Sequence, residues 1–187
     1  MAPKKMIRIL TVMICAFTVF GLFGCGNNEA PSGGTIDKTD YNAPKEIKSK
    51  DITYLWVTFC IAQELPEIEG TPQFSFRVKE DDNGNLILTE DAVGANAPAD
   101  KKLFKSVQKI IDEYDLVSQN GVYRKTAGLA PECQGCSINV NYASGENLSF
   151  TTNNNPYEEW EMKMYNVFAQ WFADKGNKKF LPEETAE

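Results

Sequence analysis

The stretch ITYLWVTFCIA, residues 52–62, decides the fold prediction for this chain of 187 residues. β-Branched and aromatic residues dominate it, and both of its alternating faces are apolar. One face would present Ile52, Tyr54 and Trp56, and the other Leu55, Val57, Phe59 and Ile61. A strand that is apolar on both faces is typically covered on both sides. We therefore predict a strand near the centre of its sheet.

Two hairpins follow this strand in the sequence. In residues 73–90, Phe74, Phe76 and Val78 alternate with polar residues, and the Asn83-Gly84 pair marks the turn. Residues 137–152 repeat the pattern around a second turn, and a short strand is predicted over 122–125. Hairpins build antiparallel sheets, so the sheet is predicted to be antiparallel.

Two segments have helical periodicity. Residues 100–116 begin with Asp100 as a capping residue, and residues 155–176 begin with Asn155, Pro156 and Glu158 and end at Gly176. The second segment carries a heavy apolar stripe, which we interpret as core: Trp160, Met164, Val167, Phe168, Trp171 and Phe172. The predicted fold is α+β, a two-layer antiparallel sheet of about five strands with two amphipathic helices on one face.

The composition divides the chain into four parts. Residues 1–24 have a positive start, an apolar run and a small residue at the end, as secretory signals do. Residues 25–49 lack apolar periodicity and are predicted to be a flexible tether. Residues 50–178 form the single domain, and residues 179–187 an acidic tail. After removal of the signal, the remaining chain is long enough to form one domain with a hydrophobic core.

The end of the signal, Leu22-Phe23-Gly24-Cys25, resembles the lipobox of bacterial lipoproteins. The resemblance implies a diacylglycerol on the Cys25 sulfur and cleavage between Gly24 and Cys25 by the lipoprotein-processing enzymes. It also implies a lipid-anchored protein of the cell membrane that faces the extracytoplasmic side. An ordinary secreted protein or an uncleaved anchor is the alternative. The layout also resembles that of small uncharacterised lipoproteins, which implies no function.

Charge and histidine content exclude several functions. The chain has 19 basic and 26 acidic residues, a net charge of −7, and loss of Lys4, Lys5 and Arg8 with the signal leaves −10. An acidic chain of this kind is not expected to bind nucleic acid. With no histidine in the chain, Ser-His-Asp and Cys-His catalysis and His-containing zinc sites are excluded.

Cys133-Gln134-Gly135-Cys136 is the one local motif whose side chains could be reactive or bind a metal. Two thiols at this spacing can form a small disulfide loop, act as redox partners, or supply half a metal site. The motif precedes a predicted strand and no helix, so we favour a structural pair. Cys60, a conceivable third ligand, is interpreted as a small buried hydrophobe. No cofactor and no metal are predicted.

The sheet's second face is the remaining candidate site. If the apolar residues of the two hairpins point at the helices, a polar set points away: Ser75, Arg77, Lys79, Asn139, Asn141, Ser149 and Thr151. This face is either simply solvated or binds a glycan or an acidic peptide.

We therefore predict a non-enzymatic binding or interaction module of the cell envelope with an unknown ligand or protein partner. One alternative is an extracytoplasmic thiol-disulfide oxidoreductase that uses Cys133 and Cys136. Another is an inhibitor or accessory subunit whose acidic surface docks on a basic partner.

Overall fold

The structure is a computed structural model, and it describes residues 34–59, 73–128, 135–152 and 158–181. Several sequence predictions concern residues outside these ranges. They are the signal and its lipobox with Cys25, the side chains of Cys60 and Cys133, and the capping role of Asn155 and Pro156.

The described chain is α+β. Its elements, in order, are β1 (Thr35–Asp37), β2 (Ile52–Phe59), β3 (Phe74–Glu80), β4 (Leu86–Glu90), β5 (Ala95–Pro98), α1 (Lys101–Glu113), a 3₁₀ turn (Leu116–Gln119), β6 (Arg124–Thr126), β7 (Ser137–Tyr142), β8 (Asn147–Thr151) and α2 (Glu159–Asp174).

The main sheet has six antiparallel strands in the order β5-β4-β3-β2-β7-β8. Strand β2 lies between β3 and β7, so its predicted central place is confirmed. For this sheet the predicted count of about five strands is one short, because β5 occupies a segment for which the sequence analysis predicted no strand. Its core-facing residues are only Ala95 and Ala97, too small to give an apolar signal in the sequence.

The predicted tether is wrong for residues 34–49, which we call the strap. Strand β1 within it pairs with β6 in a two-stranded antiparallel sheet. Farther along, Ile47 is only 8 % exposed, and the Nδ2 of Asn120 donates to the carbonyl of Pro44 at 2.9 Å. Glu146 accepts hydrogen bonds from the backbone N–H groups of Lys48 and Ser49, each at 3.0 Å. The folded unit therefore begins well before residue 50.

An aromatic core joins the sheet to α2. Phe76 of β3 and Phe168 of α2 are fully buried and stack with ring centroids 4.8 Å apart. The core extends beyond the predicted domain end, because Phe180 is also fully buried and its carbonyl accepts a 2.7 Å hydrogen bond from the hydroxyl of Tyr165. The prediction of a separate tail is thus wrong for residues 179–181.

The helices have the predicted kinds of capping interaction, but the second helix begins later than predicted. Asp100 caps α1 by accepting from the N–H of Lys102. Helix α2 begins at Glu159, later than predicted, with a capping box formed by Glu158 and Glu161. At its end Gly176 has a φ of +89°, and the N–H of Asn177 donates to the carbonyl of Phe172, which is a Schellman motif.

Candidate functional site

The seven predicted polar residues lie on one face of the six-stranded sheet, which we call the polar face. Residues that are paired across neighbouring strands form one continuous row, with one side chain from each of the six strands. From β5 to β8 this central row is Asn96, Thr89, Arg77, Trp56, Asn139 and Ser149. Of the predicted set, Lys79 and Asn141 are exposed and the other five are partly exposed.

Trp56 is the residue of this face that the sequence prediction missed. We expected β2 to be covered on both sides, but only the face with Leu55, Val57 and Phe59 is fully buried. Trp56 is partly exposed in the middle of the central row. The signal was present in the sequence, because Trp56 has the opposite parity to those three core residues.

A short polar network holds Trp56 and neutralises its cationic neighbour. The indole Nε1 of Trp56 donates to the Oγ of Ser75 at 2.9 Å, and that hydroxyl lies 3.3 Å from Oδ2 of Asp91. Arg77 reaches the same oxygen with its Nη2 at 2.6 Å. Paired with Asp91, Arg77 gives the centre of the row little net positive charge.

Asparagine amides dominate the β7–β8 side of the polar face. The Nδ2 of Asn147 donates to Oδ1 of Asn141 at 2.8 Å and to Oδ1 of Asn139 at 3.3 Å. In the described parts of the chain the amide NH₂ groups of Asn139 and Asn141 donate to no acceptor. Each side chain therefore keeps donors available to a ligand.

Two buried polar atoms flank Trp56 without a hydrogen-bond partner among the described residues. They are the Nε of Arg77, in the same row, and the Oγ1 of Thr58, one row away. Thr58 is only 5 % exposed. Unsatisfied buried polar atoms are uncommon in folded proteins, and two of the four in the described part of the chain occur on the face of the sheet that carries the polar set.

Two cavities border β8, one beside the two-stranded sheet and one beside the strap and residues 120–123. One of about 260 Å³ is lined in part by Ser137, Thr151 and Lys125. The other, of about 440 Å³, is lined in part by Ser149 and Asn120. The predicted residues Ser149 and Thr151 thus lie at the rim of concave space and not on a flat surface alone.

Three acidic residues near these elements hold structural positions. Backbone N–H groups of the strap and the hydroxyl of Ser144 lower the pKa of Glu146 to about 2. Burial raises the pKa of Glu161 to about 7, and this residue belongs to the capping box of α2. Buried Glu90 accepts from the N–H groups of Ser75 and Val93. Each of the three side chains thus accepts hydrogen bonds from backbone N–H groups.

No family model, no curated protein and no solved structure matches the chain. Over the residues that the structure describes, no helix is long and apolar enough to cross a membrane. The same residues contain no group of three or more acidic or cysteine side chains that could hold a metal ion.

Cys136 lies immediately before β7 and is 1 % exposed. The segment that follows it is a strand, as predicted. The low-pKa thiols of redox motifs are typically placed at a helix N-terminus, and Cys136 has no such position. The other half of the motif, Cys133, lies outside the described residues, so pairing of the two cysteines stays a prediction.

Proposed function

We propose that the protein is a lipid-anchored extracytoplasmic module of the bacterial cell envelope that binds its ligand on the polar face. The observation that supports this best is the central row, in which a partly exposed tryptophan on β2 is flanked by polar side chains from the five other strands. The partly exposed ring supplies apolar surface at the centre of an otherwise polar face, on which a ligand can pack.

Both helices are inferred to cover the opposite, apolar face. Buried residues of α1, such as Leu103 and Val107, and of α2, such as Phe168, belong to one core with Leu55 and Val140 of the sheet. The polar face carries none of these core residues. A one-sided arrangement of this kind leaves the second face available for a partner.

The anchor in this proposal depends on the lipobox resemblance at Leu22, Gly24 and Cys25. A diacylglycerol on Cys25 would hold the module at the membrane, and the net negative charge would keep the protein surface from docking electrostatically on anionic lipid. The membrane partner is thus contacted through the lipid, and the polar face remains free for the envelope ligand.

Two measurements test the two halves of the proposal. Metabolic labelling with a lipid precursor is expected to label the wild type and not Cys25→Ala; equal labelling of both would refute the anchor.

A photo-cross-linking amino acid at Asn139, on the polar face, is expected to capture an envelope component in intact cells. The same group at Lys109, exposed on α1, is the matched control, and equal capture at both positions would refute the assigned face.

A further inference from the structure

We propose that the ligand of the polar face is a neutral saccharide chain, which stacks on Trp56 and is hydrogen-bonded by the amides of Asn139 and Asn141. This inference rests on the proposed function, because it uses the same face. It adds the chemical class of the ligand and the role of each side chain.

The ring of Trp56 supplies the apolar part of the site. Its one polar atom already donates to Ser75, so ligand binding does not need to satisfy the indole N–H. What stays available is partly exposed aromatic surface. A sugar ring presents a face of C–H groups, and an aromatic ring is the side chain that such a face packs on without loss of hydrogen bonds from the hydroxyl groups at its rim.

The amides beside Trp56 match those hydroxyl groups. Each hydroxyl both donates and accepts, and an asparagine side chain offers both functions. Asn139 lies directly across from Trp56 in the strand register, which puts the two Cβ atoms about 4.5–5.5 Å apart. The donors of Asn139 and Asn141 are unused by the described residues.

The charge of the site indicates a neutral ligand. Arg77 is paired with Asp91 at 2.6 Å, which leaves Lys79 as the one cation of the predicted set that has no ion pair within the described ranges. The chain as a whole is acidic, so an anionic polymer would be repelled. An acidic peptide would need a concentration of cations that this face does not have.

The dimensions of the row fit an oligomer. Six strands give five inter-strand steps of about 4.8 Å, so the central row extends over about 24 Å. That length accommodates several sugar units linked end to end along the row, with Trp56 near the middle. The expected ligand is therefore a chain and not a single sugar.

The inference is tested with the full mature chain, carrying its lipid and solubilised in a neutral detergent. The probes are the neutral tetrasaccharides of cellulose, chitin and starch, with an acidic heptapeptide as the competing ligand class. Binding is followed by calorimetry for the wild type, Trp56→Leu and Asn139→Ala. Tyr41→Leu is the matched control, because Tyr41 lies on the strap and is 74 % exposed. Circular dichroism and the unfolding midpoint establish that each variant is folded.

The expected result is binding of at least one tetrasaccharide that is lost at least tenfold in both Trp56→Leu and Asn139→Ala and retained in Tyr41→Leu. If Trp56→Leu fails to fold, Asn139→Ala alone must show the loss. Binding of the acidic peptide in preference, with sensitivity to Lys79→Ala, would overturn the saccharide while leaving the proposed polar-face function intact. No binding of any probe by the folded wild type would overturn the inference, and loss in Tyr41→Leu equal to that in Trp56→Leu would overturn its location.

Discussion

The close approach of the strap to Gly121 gives the sharpest test of the fold. Gly121 has a φ of +83°, and a Cβ built there would meet the Cβ of Ala43 and lie 2.5 Å from the carbonyl oxygen of Asp40. Gly145 has the same φ of +83°, yet a Cβ there would meet nothing within 4 Å. The two glycines thus share the backbone conformation and differ in the neighbour.

The expected cost of each alanine follows from this difference. The left-handed backbone costs an L-residue about 1–2 kcal/mol, and this applies equally to Gly121→Ala and Gly145→Ala. Only Gly121→Ala adds overpacking against the strap, which typically costs about 1–3 kcal/mol more. We therefore expect a total loss of unfolding free energy of about 2–5 kcal/mol at Gly121 and about 1–2 kcal/mol at Gly145.

Urea unfolding of the two variants and the wild type measures these losses directly. A second readout is tryptic cleavage in the strap, where Lys38, Lys45 and Lys48 are exposed. Cleavage there should accelerate in Gly121→Ala and not in Gly145→Ala, because only the first substitution displaces the strap. Equal destabilisation by the two substitutions, with equal cleavage rates, would show that residues 34–49 do not pack on Gly121.

Three further predictions concern the strap, the core and the C-terminal segment. The pKa of Glu146 is about 2 in the folded state and ordinarily 4.5, so its contribution to stability is fully present above about pH 4.5 and is lost as the pH falls towards 2. Glu146→Gln should lower the urea midpoint near neutral pH, and the difference from wild type should shrink in acid; a pH-independent difference would contradict this cause. Phe168→Ala should cost about 3–5 kcal/mol because the ring is fully buried, and Trp171→Ala clearly less because Trp171 is partly exposed, so an equal thermal shift would be contrary evidence. Tyr165→Phe should cost about 1–3 kcal/mol by leaving the buried carbonyl of Phe180 without its donor, and an unchanged melting temperature would show that this carbonyl finds another partner.

Period-two and helical patterns predicted most of the main domain. The hairpins could be read from the sequence because large apolar residues alternate with polar ones, and the first helix because its apolar residues recur at helical spacing. The central place of β2 could be read because both of its faces are apolar. The elements that were missed lack such a signal. Strand β5 turns only Ala95 and Ala97 inward, and β1 has three residues with no fully buried position.

The sequence analysis did not predict the packing of the strap for a second reason. Polar contacts between residues far apart in sequence hold the strap on the domain. Asn120 joins residues far apart in sequence, since its side chain donates to Pro44 and Asn147 and accepts from the N–H of Ser149. Composition alone made residues 34–49 resemble a linker. A buried asparagine that satisfies three backbone groups has no periodic signature, so propensity reasoning could not have found this contact.

The candidate site was predictable in position and not in chemistry. Parity along the hairpins places Arg77 and Asn139 on one face whatever the details of packing. Parity also separates Trp56 from Leu55, Val57 and Phe59, but whether its face was open or covered depended on what lay against the sheet, because β2 was apolar on both sides in sequence. Likewise, the pairing of Arg77 with Asp91 depends on a turn geometry that the sequence does not encode locally.

The strap also changes how far the proposed anchor lets the domain reach. A free tether from Cys25 to residue 49 could extend over about 80–86 Å at 3.3–3.6 Å per residue. Because β1 fixes the chain at Thr35, only ten steps separate Cys25 from the folded unit, at most about 33–36 Å. A module lipidated at Cys25 would therefore be held less than half as far from the bilayer as the sequence suggested. The distance of Thr35 from the bilayer, rather than that of a residue near position 50, would then be set by the length of the free segment.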